Sequence, residues 1–499
     1  MNLGALATLA EGLRRELGPG VIFTGTENVI VYEYDYGLDR GMPDLVALPR
    51  TTADVQVLVR EAQAAGVPIV ARGAGTGISG GAVANRGGLV IGLARMNRIV
   101  EIDADNRCAV VQPGVINLDL SRVAEPYGLF FAPDPSSQKA STIGGNVANN
   151  AGGPHCLALG VTVNHILGLE VVLHDGTIVD LGGRSPDGPG LDLTGLLVGS
   201  EGTLGIVTEA TVRLLPLPEA VRTTLAIFES VEAASEAVSG LIGGGLVPAA
   251  LEMMDRLALS AIEAAFHAGY PPEAGAVLLV EVDGLLEQVE AQAALVDAVC
   301  REAGALEIRL ARTADERARL WSARKGAASA MGRIAPNYYL HDAVVPRTKL
   351  PQILAHVVEI GQRYDLPIAN LFHAGDGNLH PMILFDVREA GILERVMAAG
   401  VEILTRCVEA GGTITGEHGV GLEKQSFMPL IFSPADLGVM ARVREAIDPA
   451  GNFNPSKILP SPASDPRSAS QDAAPVRSGK QLSAETRVRT LASDEGMCI

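Results

Sequence analysis

Aromatic side chains are scarce in this chain. They make up 4% of its 499 residues, and Trp321 is the only tryptophan, too few for a surface that binds nucleic acid by stacking. Positive charge is also outnumbered. The chain has 39 Lys and Arg against 58 Asp and Glu, a formal net charge of −19, which excludes nucleic acid and anionic lipid as general partners. The five cysteines, Cys108, Cys156, Cys300, Cys407 and Cys498, are scattered, with no C-x-x-C pair. That pattern excludes a disulfide framework and an iron–sulfur or cysteine-rich zinc site, and it suits a reducing compartment. No apolar run reaches the ~18 residues that span a bilayer, so no transmembrane segment is expected. The opening MNLGALATLAEGLRREL lacks the basic start of a signal peptide and reads as an amphipathic helix. A cytoplasmic location is expected, with peripheral attachment to the inner face of a membrane through partner subunits left open.

Glycine, by contrast, is plentiful, with 57 residues. In ARGAGTGISGGA, residues 71–82, Gly75, Gly77 and Gly80 spell G-x-G-x-x-G. That fingerprint marks a dinucleotide-binding Rossmann unit only where a strand precedes it and a helix opens from it. The strand is present at 67–71. The helix is not, because GAVANRGG follows and each glycine costs a helix roughly 1 kcal/mol. An NAD dehydrogenase is therefore disfavoured. Two further glycine-rich stretches, STIGGN…NNAGG (141–153) and GSEGTLGIVTE (199–209), stand in the same half of the chain. Successive backbone N–H groups in glycine turns bind anions, and bare backbone approaches a planar ligand closely. One such stretch could be no more than a tight turn, but three point to a cofactor domain.

Short strands dominate up to about residue 218, with one clear helix at 53–65. Pro216 and Pro218 mark a boundary. Beyond it the pattern predicts helices at 231–242, 252–267, 285–303, 313–331, 349–364 and 390–410, with strands at 277–282, 305–309, 367–373 and 381–386 between them. The fold class is α+β. The expected domains are a lead-in at 1–42, a cofactor domain at 43–218, a second domain at 219–459 and a disordered tail at 460–499.

Chemistry-bearing residues gather in the second domain. LFHAGDGNLHP carries His373 and His380, and GGTITGEHGVG carries Glu417 and His418. Two imidazoles and one carboxylate form a common set for a catalytic divalent metal with open positions. His373, His380 and Glu417 would be its ligands, leaving His418 as a free base.

The stretches RGAGTGISGG, PDPSSQKASTIGGNVANNAGG and GSEGTLGIVTEATVRL resemble the FAD-binding domain of the vanillyl-alcohol oxidase/p-cresol methylhydroxylase flavoproteins. The resemblance implies a two-subdomain α+β clasp around FAD. It places Arg72, Gly73, Ala74, Gly75, Thr76, Gly77, Ser79 and Gly80 on the pyrophosphate. Pro133, Asp134, Ser141, Thr142, Gly145, Asn146 and Asn150 fall on the flavin side. Glu201, Gly202, Ile206 and Val207 fall near the adenosine or the ring, and Asn454 returns to the flavin. No His or Cys stands in 71–82, so FAD is expected to be non-covalent, with His155 and Cys156 as the nearest tethering residues.

HAGDGNLHP and GEHGVGLEK are similar to the C-terminal domain of FAD-linked 2-hydroxy-acid dehydrogenases, most of all the glycolate oxidase FAD-binding subunit. That resemblance implies zinc on His373, His380 and Glu417, His418 as the base, and Arg324 on the substrate carboxylate. Ala328 and Leu340 stand where the 2-hydroxyglutarate enzymes carry Thr and Lys, which favours a small monocarboxylate such as glycolate or D-lactate. The implied partners are a second flavin-domain-like subunit and an iron–sulfur subunit. A stand-alone D-lactate or D-2-hydroxyglutarate dehydrogenase and a non-catalytic FAD-binding scaffold are the competing expectations.

Overall fold

Strands Leu45–Ala47, Leu89–Gly92 and Ile69–Arg72 lie side by side and parallel, with Ile22–Phe23 antiparallel at the edge. The computed structural model describes residues 3–185 and 188–460, and this small sheet is the first of its layers. Its central strands are almost wholly apolar and buried, as expected of parallel strands covered on both faces. Helix Thr52–Ala64 covers one face with Val55, Leu58, Val59 and Ala62. A capping box between Thr51 and Asp54 fixes its start. The parallel step from Arg72 to Leu89 is made without a helix, although such crossovers usually contain one. Residues 73–88 instead form an irregular loop, so the glycine fingerprint opens no Rossmann helix.

A second, antiparallel sheet follows, in the order Ile99–Asp103, Cys108–Val111, Ile206–Arg213, Ile166–Val172, Ile178–Gly182. The stretch 141–153, read from sequence as glycine loop, contains a short helix, Ile143–Asn149. Thr142 caps it through the Gly145 N–H, and it ends at Asn150 in the left-handed region, φ 51°. Gly144 is needed there, since a Cβ would sit 2.5 Å from Pro113 Cβ.

The third sheet is the largest. Seven of its strands run Glu307–Leu310, Ala220–Phe228, Ala276–Gly284, Ala250–Asp255, Ile368–His373, Asn378–Phe385, Asn337–Leu340, and Ala343–Val344 pairs off this path. Two sequence expectations are corrected here. The helix expected over 252–267 starts only at Arg256, because Ala250–Asp255 is a buried strand and Asp255 caps the helix through Ala258 N–H. Pairing and burial override the helix propensity of LEMM. The helix expected over 313–331 is interrupted at Gly326, whose missing Cβ would meet the Phe266 ring at 2.3 Å. Strands Ala220–Phe228 and Asn337–Leu340 and helix Pro434–Ile447 were not expected from sequence. The tail expected at 460–499 lies, from 461 on, outside the described residues. Among the described residues, Cys108, Cys156, Cys300 and Cys407 are free, and no helix is long and apolar enough to cross a membrane.

Two devices join the first two layers to the third. The chain returns after Asp448: Ile69 N–H donates to Asn452 O (2.8 Å), and Asn454 N–H donates to Ile69 O (2.7 Å). Phe453 is thereby fully buried in the first core, worth roughly 1.5–3 kcal/mol. Elsewhere, Asp134 accepts from His155 Nδ1 (2.8 Å) and Lys325 Nζ (2.7 Å). His155 also stacks on Trp321, with ring centroids 5.6 Å apart, and its Nε2 lies 3.5 Å from Glu281.

Burial alone would lower the His155 pKa, but Asp134 and Glu281 outweigh it and push it up to about 10. Burial would raise Asp134, yet His155 and Lys325 bring it down to about 2. The stabilisation from His155 is thus complete below its unfolded pKa of ~6.5 and is lost as pH rises through about 10. That from Asp134 is complete above its unfolded pKa of ~3.9 and is lost as pH falls through about 2. Calorimetric melting between pH 7 and 10 should therefore show a steeper fall for the parent than for His155→Gln. Equal slopes would contradict this account of the latch.

Candidate active site

A single cavity of about 380 Å³ runs between the glycine stretches and the ends of the third-sheet strands, within the ~300–1,000 Å³ usual for small-molecule sites. At one end it is lined by Arg72, Gly73, Ala74, Gly75, Thr76 and Gly77, by Ser141, Thr142, Gly145 and Asn146, and by Glu201 and Gly202. At the other end stand Arg324, His373, His380, Glu417 and His418. Residues from all three glycine stretches and both histidine loops meet in it.

Eight of the residues expected to touch the cofactor lie behind this wall instead. Ser79 Oγ–H donates to the His418 carbonyl (3.1 Å), and Gly80 packs against Leu422. The Pro133 carbonyl accepts from Asn117 (2.8 Å), and Asp134 serves the latch. Asn150 Oδ1 accepts from Val163 N–H (2.8 Å). Ile206 and Val207 pack into the hydrophobic cores, Ile206 fully buried. Asn454 Nδ2 donates to the Gly81 (2.8 Å) and Glu201 (2.6 Å) carbonyls. These residues shape the wall by holding its backbone, although Asn454 Oδ1 is left buried without a partner.

The polar end is built around Glu417. Its Oε1 lies 3.2 Å from His373 Nε2, 3.3 Å from His380 Nε2 and 3.6 Å from His418 Nε2. His373 and His380 reach it from neighbouring antiparallel strands, Ile368–His373 and Asn378–Phe385. Glu417 and His418 come from a turn organised by one buried carboxylate. Asp342 Oδ2 accepts from the N–H groups of Gly416 (2.9 Å), Glu417 (3.1 Å) and His418 (2.9 Å), and from Thr415 Oγ1 (2.6 Å). Ligating atoms of Asp342, His380, Glu417 and His418 lie within 4.8 Å of one another. His373, expected as a ligand, is not in that group of four, although its Nε2 also faces Glu417; Asp342 Oδ2 is saturated by donors and organises the loop. Burial would raise the Glu417 pKa, but His373, His380 and His418 outweigh it and hold it well below the usual range.

The cofactor end grips the same turn. Asn149 Nδ2 donates to the His418 carbonyl (2.9 Å), and Glu201 Oε1 accepts from Val420 N–H (2.7 Å) and Gly421 N–H (3.1 Å).

Comparison with known proteins agrees with this architecture. Residues 43–182 match the family described as FAD binding domain, and residues 217–458 match FAD linked oxidases, C-terminal domain. Glycolate oxidase subunit GlcD of Escherichia coli (strain K12) is 47% identical over 449 residues, covering 89% of this chain and 90% of that protein. A D-lactate dehydrogenase of Anaerostipes hadrus is 33% identical, covering 89% and 96%. The chain belongs to the FAD-linked oxidases. A solved 4-ethylphenol oxidase from Gulosibacter chungangensis shares the fold, with TM-score 0.76 at 19% identity, covering 92% of this chain and 98% of that one.

The cavity of this FAD-linked oxidase fits its cofactor. Ser141 Oγ, Asn146 Nδ2 and Glu201 Oε2 are buried there without a hydrogen-bond partner, an expensive arrangement unless a ligand supplies one. Gly77 faces open space, for a Cβ there would meet only Asn149 Nδ2, at 3.7 Å. The polar end offers two imidazoles and a carboxylate, a donor set that fits a divalent metal. Among the described residues no cysteine lines the cavity, and neither does His155. Sequence reasoning missed Asp342, Asn149 and Glu252. Glu252 left a signal, since it is the one charge inside the apolar run AALEMM.

Gly77→Ala should fold normally while its methyl group occupies the cofactor's space. At a cost of roughly 1–3 kcal/mol for overpacking, FAD affinity should fall about tenfold or more. Flavin absorbance per chain after gel filtration checks this, with circular dichroism as the folding control. Parent-like flavin content in the variant would contradict the placement.

Proposed function

We propose that this FAD-linked oxidase converts a small 2-hydroxy monocarboxylate, glycolate or D-lactate, to its 2-oxo acid. The observation that carries the reading is Arg324. It lines the cavity beside the histidines, is buried at 4% exposure, and its Nε has no hydrogen-bond partner. Its one ion pair, to the buried Glu252, is held by Nη2 alone, and the rest of the guanidinium fork suits a carboxylate ligand. Ala328 and Leu340 also line the cavity and offer nothing to a second carboxylate. The named activities of the glycolate oxidase subunit and the D-lactate dehydrogenase support the same substrate class.

In this reading Arg324 holds the carboxylate, and His418 Nε2, the nitrogen turned toward Glu417, takes the hydroxyl proton. His373, His380 and Glu417 would hold a divalent metal, zinc on the family resemblance, which lowers the pKa of a bound hydroxyl. FAD, bound non-covalently, supplies the acceptor for the C2 hydride. The cysteines, scattered along the chain, provide no electron relay of its own. A second flavin-domain-like subunit and an iron–sulfur subunit are the proposed route onward, in a reducing, cytoplasmic setting.

The direct test is the anaerobic visible spectrum of the purified chain before and after glycolate, then D-lactate. Bleaching by either acid is expected. A flavin that neither acid bleaches, with metal and FAD supplied, would overturn the substrate assignment. His418→Gln should keep flavin and metal yet reduce flavin roughly 10²–10⁴-fold more slowly, the usual worth of a positioned base. Single-turnover rates at parent level would remove His418 from that role.

A further inference from the structure

We propose that Glu252 is a positioning residue that sets the spacing between the substrate carboxylate and the metal, an inference that rests on the roles given above to Arg324 and His373. Glu252 lies in the buried strand Ala250–Asp255 and is wholly inaccessible. A buried carboxylate is costly unless each oxygen is matched. Here each oxygen serves a different site residue. Oε1 lies 2.7 Å from His373 Nδ1, and Oε2 lies 2.5 Å from Arg324 Nη2. Glu252 and His373 are direct cross-strand neighbours, whereas Arg324 arrives on helix Ala314–Lys325.

Both contacts have consequences inside the cavity. With Nδ1–H given to Glu252 and the Nε2 side facing the Glu417 carboxylate, His373 would offer Nε2 to a metal once that second proton is displaced, with Glu252 still fixing the ring. With Nη2 drawn to Glu252, the Arg324 fork is held by one tip in an ion pair too oblique for a hydrogen bond, and Nε is left without a partner. One side chain therefore fixes the cation and a metal ligand relative to each other. A 2-hydroxy acid carries its carboxylate and hydroxyl on adjacent carbons, so its two holding points must keep one short separation. A single bridging carboxylate meets that requirement more rigidly than two independent supports.

Glutamine cannot replace it. Its amide has one accepting oxygen, while both partners are donors, so Glu252→Gln satisfies one and opposes the other. Aspartate keeps the charge but is shorter by about 1.5 Å, one carbon–carbon bond, and cannot reach both.

The test uses the full chain, loaded with FAD and stripped of metal by EDTA. Zinc affinity is measured by chelator competition, and KM and kcat with whichever acid bleaches the parent. Glu252→Gln should keep parent flavin content, bind zinc roughly 10–100-fold more weakly, and raise KM at least about tenfold, a 1.4 kcal/mol effect. If that variant fails to hold flavin, Glu252→Asp carries the test, with weakened zinc binding and raised KM expected again. Zinc affinity and KM within about twofold of the parent, in a variant that holds flavin, would overturn the inference; a change in only one of them would reduce Glu252 to a support for that one residue and overturn the shared role. A parent that neither binds zinc nor is bleached overturns the function proposed above and this inference with it. A parent that does both, matched by its Glu252 variants, overturns this inference alone.

Discussion

One buried oxygen, Asp342 Oδ2, accepts from three successive backbone N–H groups, those of Gly416, Glu417 and His418. Much of the site's geometry depends on that contact. It holds the turn tightly enough for Glu417 and His418 to project together, and Lys424, itself fully buried, stands 3.5 Å away to balance the charge. Burial would raise the Asp342 carboxyl, but His418, Lys424 and His380 outweigh it and keep it ionised. The turn also closes the gap between the layers. Ser79 and Asn149 hold the His418 carbonyl, and Glu201 holds the next two N–H groups. The chemistry-bearing loop of the third layer is thus built into the cofactor wall of the first two, and a single cavity results.

Electrostatically the polar end is a cluster of buried charges with matched neighbours. Three imidazoles converge on Glu417, and the rings of His380 and His418 stack with centroids 4.9 Å apart. Burial would lower the His373 pKa, but Glu252 and Glu417 outweigh it and keep it high. A metal bound there must displace a proton, so affinity for it would fall in acid. Such a cluster is costly as mere support, since apolar packing of equal volume would hold a fold at least as well. Its position in the wall of the cavity that fits the flavin gives it a use.

Much of this was legible in the sequence because it depends on local chemistry. The glycines after Gly80 rule out a helix by propensity alone, and the loop at 73–88 has none. The histidine loops announce themselves by residue type and glycine content. What stayed hidden depends on register and tertiary contact. Glu252 matters because antiparallel pairing sets it opposite His373, and Asp342 because its carboxylate faces a turn more than 70 residues later. Asp134 and Asn454 look like cofactor contacts in sequence, yet the Asp134 carboxylate is engaged by Lys325 and His155, and the Asn454 amide nitrogen by two backbone carbonyls. Strand Ala250–Asp255 was masked by side chains that favour helix until pairing and burial decide otherwise.

The central claim is that one cavity brings a flavin and a metal-held 2-hydroxy acid together through the turn at 415–421. Anomalous diffraction at the zinc edge, from crystals of the chain with FAD and zinc, tests it most directly. The account predicts a peak bounded by His373 Nε2, His380 Nε2 and the Glu417 carboxylate, in the same cavity as the flavin ring. No peak there, or one ligated by Asp342 with the turn unwound, would contradict it.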